Sequence, residues 1–152
     1  MSDLNPRERL TRVLEAGTIR VDFAAPDLSH AVRDLLVPAL AAHHIAAARI
    51  DAMVDAVLKR EESGSTSSGA VALPHARVSD LPAIITGFGI NASGIYGGGD
   101  VQFLMTFVSP QESPSEHLRF LSEAAKVFRS DALLDRLREA KSAEDVLQIL
   151  RA

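Results

Sequence analysis

The period of the apolar positions changes along the chain, and the changes mark out its elements. Ile50, Met53, Val54, Val57 and Leu58 fall at i, i+3, i+4, i+7 and i+8, which lines one face of an α-helix that closes on Lys59-Arg60-Glu61-Glu62. An earlier helix is predicted to start near Ser29 and to use Val32, Leu35 and Leu36. Pro38 is expected to kink or end it, because proline lacks an N–H and its ring clashes with the preceding turn. After the Gly/Ser segment Ser63-Gly64-Ser65-Thr66-Ser67-Ser68-Gly69, expected to be a loop inside the domain, the helical period gives way to β-prone runs at 70–73, 84–90 and 101–108. Asn91, Gly94 and Gly97-Gly98-Gly99 separate the later runs. Residues 18–23 alternate, with Ile19, Val21 and Phe23 against Thr18, Arg20 and Asp22, and predict one more strand.

Ser113-Pro114-Ser115-Glu116 reads as a capping box, with Ser113 accepting from the N3 amide, Glu116 reaching back and Pro114 preset for the first helical position. Leu118, Leu121, Ala125 and Phe128 are the expected buried stripe of the helix that follows. A second helix start at Ser130 leads through Leu133, Leu134 and Leu137, and a last short helix follows Ser142. Helices on either side of a cluster of strands predict an α/β fold, a central mixed β-sheet sandwiched by helices, as a single domain over residues 1–152.

Composition narrows the function. The 152 residues, 47% apolar and 24% charged, suit one domain, and a net charge of −4 offers no basic field for nucleic acid or an anionic membrane. The longest apolar stretch, 35–42, is interrupted by Pro38 and followed by His43 and His44, far short of the ~20 residues that span a bilayer. The start, MSDLNPRERL, carries charge where a secretory signal has its apolar run, and the lack of cysteine removes disulfides, thiolate nucleophiles and cysteine metal sites. These features predict a cytoplasmic protein with no direct membrane insertion.

The chemical candidates are then the five histidines and the acidic residues. His30, His43 and His44 lie in or beside helical segments, where solvated or capping roles are expected; adjacent helical residues point ~100° apart, so His43 and His44 cannot share a metal. His75 follows Pro74 directly, at the predicted end of a strand leaving the Gly/Ser loop, an address that suits an active-site residue as well as a structural one. The Gly/Ser loop offers amides and hydroxyls to an anion but lacks the Lys of a Walker A sequence. His117, one position after Glu116, lies in a first helical turn whose free amides and dipole favour a phosphate; an exposed surface residue is the alternative. Arg60 has the forked donors to complement a phosphate, or is a surface residue beside Glu61 and Glu62.

Taken in order, Arg60-Glu61-Glu62-Ser63-Gly64-Ser65-Thr66, Ala72-Leu73-Pro74-His75-Ala76-Arg77, Val108-Ser109-Pro110 and Glu116-His117-Leu118 resemble the enzyme IIA domain of the fructose/mannitol and nitrogen-related (type 2) branch of the bacterial phosphotransferase system. The resemblance implies a phosphohistidine relay. His75 would accept a phosphoryl group from the histidine phosphocarrier protein and donate it to a IIB domain, with His117 as second active-site histidine and Arg60 as supporting cation. No metal and no cofactor is implied, and His75 and His117, 42 positions apart in sequence, are expected to converge in one shallow site. Relative to the family pattern the stretch before His75 is one residue shorter and the turn at 94–100 is abbreviated. The resemblance leaves three roles: a carrier in sugar uptake, a nitrogen-type regulatory module whose phosphorylation state controls binding to other proteins, and a binding domain that keeps the fold without being phosphorylated.

Overall fold

The computed structural model describes residues 4–65 and 67–152. In chain order its elements are α1 (Pro6–Glu15), β1 (Thr18–Arg20), α2 (Leu28–Ala42), α3 (Ala47–Glu62), β2 (Ser67–Ser68), β3 (Val71–Ala72), β4 (His75–Val78), β5 (Ile85–Ile90), β6 (Phe103–Pro110), α4 (Pro114–Val127), α5 (Asp131–Arg138) and α6 (Ala143–Arg151). The strands form one sheet in the order β1-β5-β6-β3-β2, with β4 also on β6. Pairing is mixed: β5 runs antiparallel to β6, β3 and β4 parallel to it, and β1 parallel to β5. The predicted α/β class and the central mixed sheet with helices on both faces are what the fold contains.

The period-2 alternation of strand side chains sorts β6 between the two helical layers. Phe103, Met105 and Phe107 pack with residues of α1, α4, α5 and α6, while Val108 joins α2 and α3 on the other face. Burial of all eight β6 residues explains why apolar side chains stand on consecutive positions, Phe103-Leu104-Met105 and Phe107-Val108, where a half-exposed strand would alternate. Gly87 on β5 lets α2 lie directly on the sheet, since a Cβ there would stand 2.5 Å from the Leu35 carbonyl oxygen.

Four expectations need correction. Pro38 does not end α2, which continues four residues beyond it and buries Ala39 and Leu40 in the core; burial of that last turn outweighs the missing amide bond. Ser113 precedes α4 as expected, but its side chain makes no cap hydrogen bond, and ψ of 64° departs from the extended backbone of a capping residue. The capping box is instead at the start of α1, where Asn5 and Glu8 exchange side-chain and backbone bonds ahead of a helix that the apolar pattern did not mark. The buried stripe of α4 is His117, Phe120, Ala124 and Val127, with Phe128 at its end; Leu118 is 64% exposed and Ala125 is also outside. Part of the Gly/Ser segment, Ser67–Ser68, is a strand where a loop was expected, and Thr66 lies outside the described residues.

Candidate functional site

The site begins with an interruption. β3 and β4 run in one register along β6, Val71 and Ala72 opposite Phe103 and Leu104, then His75 and Ala76 opposite Phe107 and Val108. Leu73-Pro74 breaks the ladder between them, because proline has no amide to donate; its carbonyl still accepts from the Phe107 amide at 3.1 Å. His75 therefore opens a strand, whereas the sequence placed it at the end of one. Its ring stacks on Phe107, with centroids 5.0 Å apart and planes 10° from parallel.

The backbone that leads into His75 also fixes its ring. Nδ1 lies 2.7 Å from the Leu73 carbonyl oxygen, and since a carbonyl only accepts, the proton of the neutral ring is on Nδ1. Nε2 is left with its lone pair, and no described residue hydrogen-bonds to it.

His117 arrives from the opposite layer, in the first turn of α4, with its amide donating to the Ser113 carbonyl at 3.1 Å. Its ring lies 5.1 Å from that of His75 and 5.8 Å from that of Phe107. Nδ1 is hydrogen-bonded to the hydroxyl of Ser109 on β6. Residues 42 apart in sequence thus converge, and they do so nearly out of solvent, His75 at 3% and His117 at 6% exposure. This is more enclosed than the shallow site the sequence led us to expect, because His117 occupies the first position of the buried stripe.

Burial and neighbouring cations both disfavour protonation here. Desolvation, the ring of His75, Arg77 and Arg60 together push His117 down to about 4. Desolvation lowers His75 as well, aided by Arg60 and opposed by the bond to Leu73 and by Glu61. Near neutral pH the site therefore holds two neutral imidazoles, one with an unprotonated Nε2 and both under positive potential. That combination suits a nucleophile attacking an anionic centre. Arg60 is at the surface, donating from Nη1 to the Gly64 carbonyl at 3.2 Å; its charge reaches both rings without a direct bond to either.

His30, His43 and His44 stand apart from this site. His30 pairs with Asp27 at 2.7 Å, His43 caps α2 through the Ala39 carbonyl at 2.9 Å, and His44 follows with a left-handed φ of 62°. Among the described residues no group of three or more His, Asp and Glu is arranged to hold a metal, and no helix is long and apolar enough to cross a membrane. A cavity of about 460 Å³ between α1 and α4 reaches Ser115 and Glu116 but is lined by neither site histidine. Sequence reasoning missed Phe107 and Ser109. Their signal was alternation, since 107 and 109 share a strand face with 103 and 105, but a strand buried on both faces shows little contrast between them.

Comparison with known proteins places the chain among relatives. The family model described as phosphoenolpyruvate-dependent sugar phosphotransferase system, EIIA 2, matches residues 12–152. A nitrogen regulatory protein of Pseudomonas aeruginosa is 31% identical over 99 residues, a match that spans 62% of this chain and 64% of that protein. Nitrogen regulatory protein IIA-Ntr from Neisseria meningitidis shares the fold with a TM-score of 0.75 at 23% identity, over 93% of this chain and 99% of that one. Enzyme IIAMTL from Escherichia coli, solved in complex with phosphorylated enzyme IIBMTL, does so with a TM-score of 0.68 at 16% identity, over 88% of this chain and 94% of that one.

Proposed function

The chain belongs to the EIIA 2 family of the phosphoenolpyruvate-dependent sugar phosphotransferase system, and from that premise we propose that it is a cytoplasmic phosphoryl carrier working through His75. The Nε2 lone pair of His75 attacks the phosphorus of a phosphohistidine on the histidine phosphocarrier protein. A new N–P bond forms as the donor's N–P bond breaks, and the donor imidazole keeps the electron pair. A IIB partner then takes the phosphoryl group by the same displacement in reverse. Phosphoryl transfer asks chiefly for positioning and charge stabilisation. The Leu73 carbonyl positions the nucleophile, while His117 and Arg60 offset charge on the transferring group. The observation that carries this reading is the hydrogen bond from His75 Nδ1 to Leu73, which leaves Nε2 unprotonated beside a second histidine.

The test supplies phosphoenolpyruvate, enzyme I and the phosphocarrier and looks for an acid-labile, base-stable adduct. Wild type is expected to be labelled and His75→Ala to stay unlabelled; an unlabelled wild type or a labelled His75→Ala contradicts the assignment. A second reading, in which the phosphorylated and free forms regulate other proteins without moving sugar, is favoured by the similarity to a nitrogen regulatory protein. Pull-downs with both forms separate the two: a target that binds one form and is not a IIB protein supports regulation.

A further inference from the structure

The two histidines are held by different chemical groups, and the difference sets which ring nitrogen carries the proton. His75 Nδ1 meets a carbonyl, which can only accept. His117 Nδ1 meets the hydroxyl of Ser109, which can donate or accept. Ser109 is fully buried on β6, and its hydroxyl has no other partner among the described residues. If His117 donated from Nδ1, the hydroxyl hydrogen of Ser109 would be left buried and unpaired, a penalty that native structures avoid. With the hydroxyl donating to Nδ1, both groups are satisfied and the ring proton resides on Nε2.

We infer that Ser109 is a positioning residue for the second histidine: its hydroxyl donates to His117 Nδ1 and so makes Nε2–H the group that meets a phosphoryl oxygen. His75 and His117 are then opposite tautomers, one offering a lone pair to phosphorus and the other a proton to oxygen. The groups facing His117 from β4 and α3 are His75, Arg77 and Arg60, and together with burial they keep its ring neutral while no phosphate is present. An alanine at 109 could not donate to Nδ1, and the neutral ring would divide its proton between the two nitrogens. In the fraction with the proton on Nδ1, the Nε2 lone pair would face phosphoryl oxygens and repel them.

This inference rests on the carrier reading for its consequence in transfer, while the tautomer itself can be measured without phosphate. Ring nitrogen NMR on the ¹⁵N-labelled full chain near pH 7 is expected to show His75 protonated at Nδ1 and His117 at Nε2. Ser109→Ala, one oxygen smaller, is expected to leave the His75 pattern intact, which verifies the fold, and to shift His117 to a mixture. Ser109→Thr keeps the hydroxyl and should restore the wild-type His117 pattern. Transfer from phosphorylated His75 to a IIB partner should slow in Ser109→Ala in proportion to the His117 rings lost to the Nδ1–H form, about twofold for an even mixture. A wild-type His117 protonated at Nδ1, an unchanged His117 pattern in Ser109→Ala, or an unchanged transfer rate overturns the role of Ser109. If wild type accepts no phosphoryl group at all, the carrier reading fails and the ring pattern alone decides what Ser109 does.

Discussion

At the scale of single residues, the site puts a cost on acid. His117 has an ordinary value of 6.5 in the unfolded chain and about 4 in the fold, so between those pH values the unfolded state binds more protons. Stability is therefore lost as pH falls through that window, and it is fully present above it. Between pH 7.5 and 5 the loss from His117 is about 2 kcal/mol, at roughly 1.4 kcal/mol per pH unit below 6.5. His75 adds a loss of the same sign, whereas the lowered carboxylate of Glu123 acts only below its ordinary value of 4.5. Urea unfolding at the two pH values is expected to show this difference in wild type and a smaller one in His117→Gln. An equal pH dependence in both proteins would mean that His117 is solvated in the fold. The residues of this site were partly legible in the sequence: Pro74-His75 and Glu116-His117 stand out as motifs, while Ser109 looks like an ordinary strand-end serine until β6 and α4 are brought together. Hydrogen bonding between elements leaves no local trace.

At the scale of elements, three helix starts carry serine, and only two use it as a cap. Ser130 accepts from the Leu133 amide at 3.2 Å and Ser142 from the Asp145 amide at 3.1 Å, but Ser113 makes no such bond. Ser130→Ala and Ser142→Ala are each expected to cost about 1 kcal/mol, and Ser113→Ala much less, as read from thermal or urea melts. Equal costs at all three positions would contradict the observed start of α4. The departure at Ser113 has a tertiary cause. The first turn of α4 must deliver His117 to Ser109 and His75, and that placement takes precedence over the local cap. The same constraint rotates the helix so that His117, Phe120, Ala124 and Val127 face inward and Leu118 outward. Reading leucines as the buried positions picked the neighbouring stripe, because hydrophobicity alone gives no reason to bury a histidine. By contrast α3, β5 and β6 were legible in outline, since a strict helical period and long β-branched or aromatic runs have few alternative uses. The shorter β4 was not, being four residues whose membership in the sheet depends on β6.

At the scale of the whole molecule, the sheet acts as a partition that brings two layers to one point. α3, on one layer, contributes the charge of Arg60; the parallel strand β4 contributes His75 and Arg77; α4, from the other layer, contributes His117. No single segment contains the site, which is why separated motifs had to be joined before its chemistry could be read. The central claim is that this junction makes His75 Nε2 the phosphoryl acceptor. The most direct measurement is ³¹P and ¹⁵N NMR of the labelled chain after incubation with phosphoenolpyruvate, enzyme I and the phosphocarrier, reading which nitrogen is coupled to phosphorus. Phosphorus on Nε2 of His75 is the expected result; phosphorus on Nδ1 of His75, on any other histidine, or on none would contradict it.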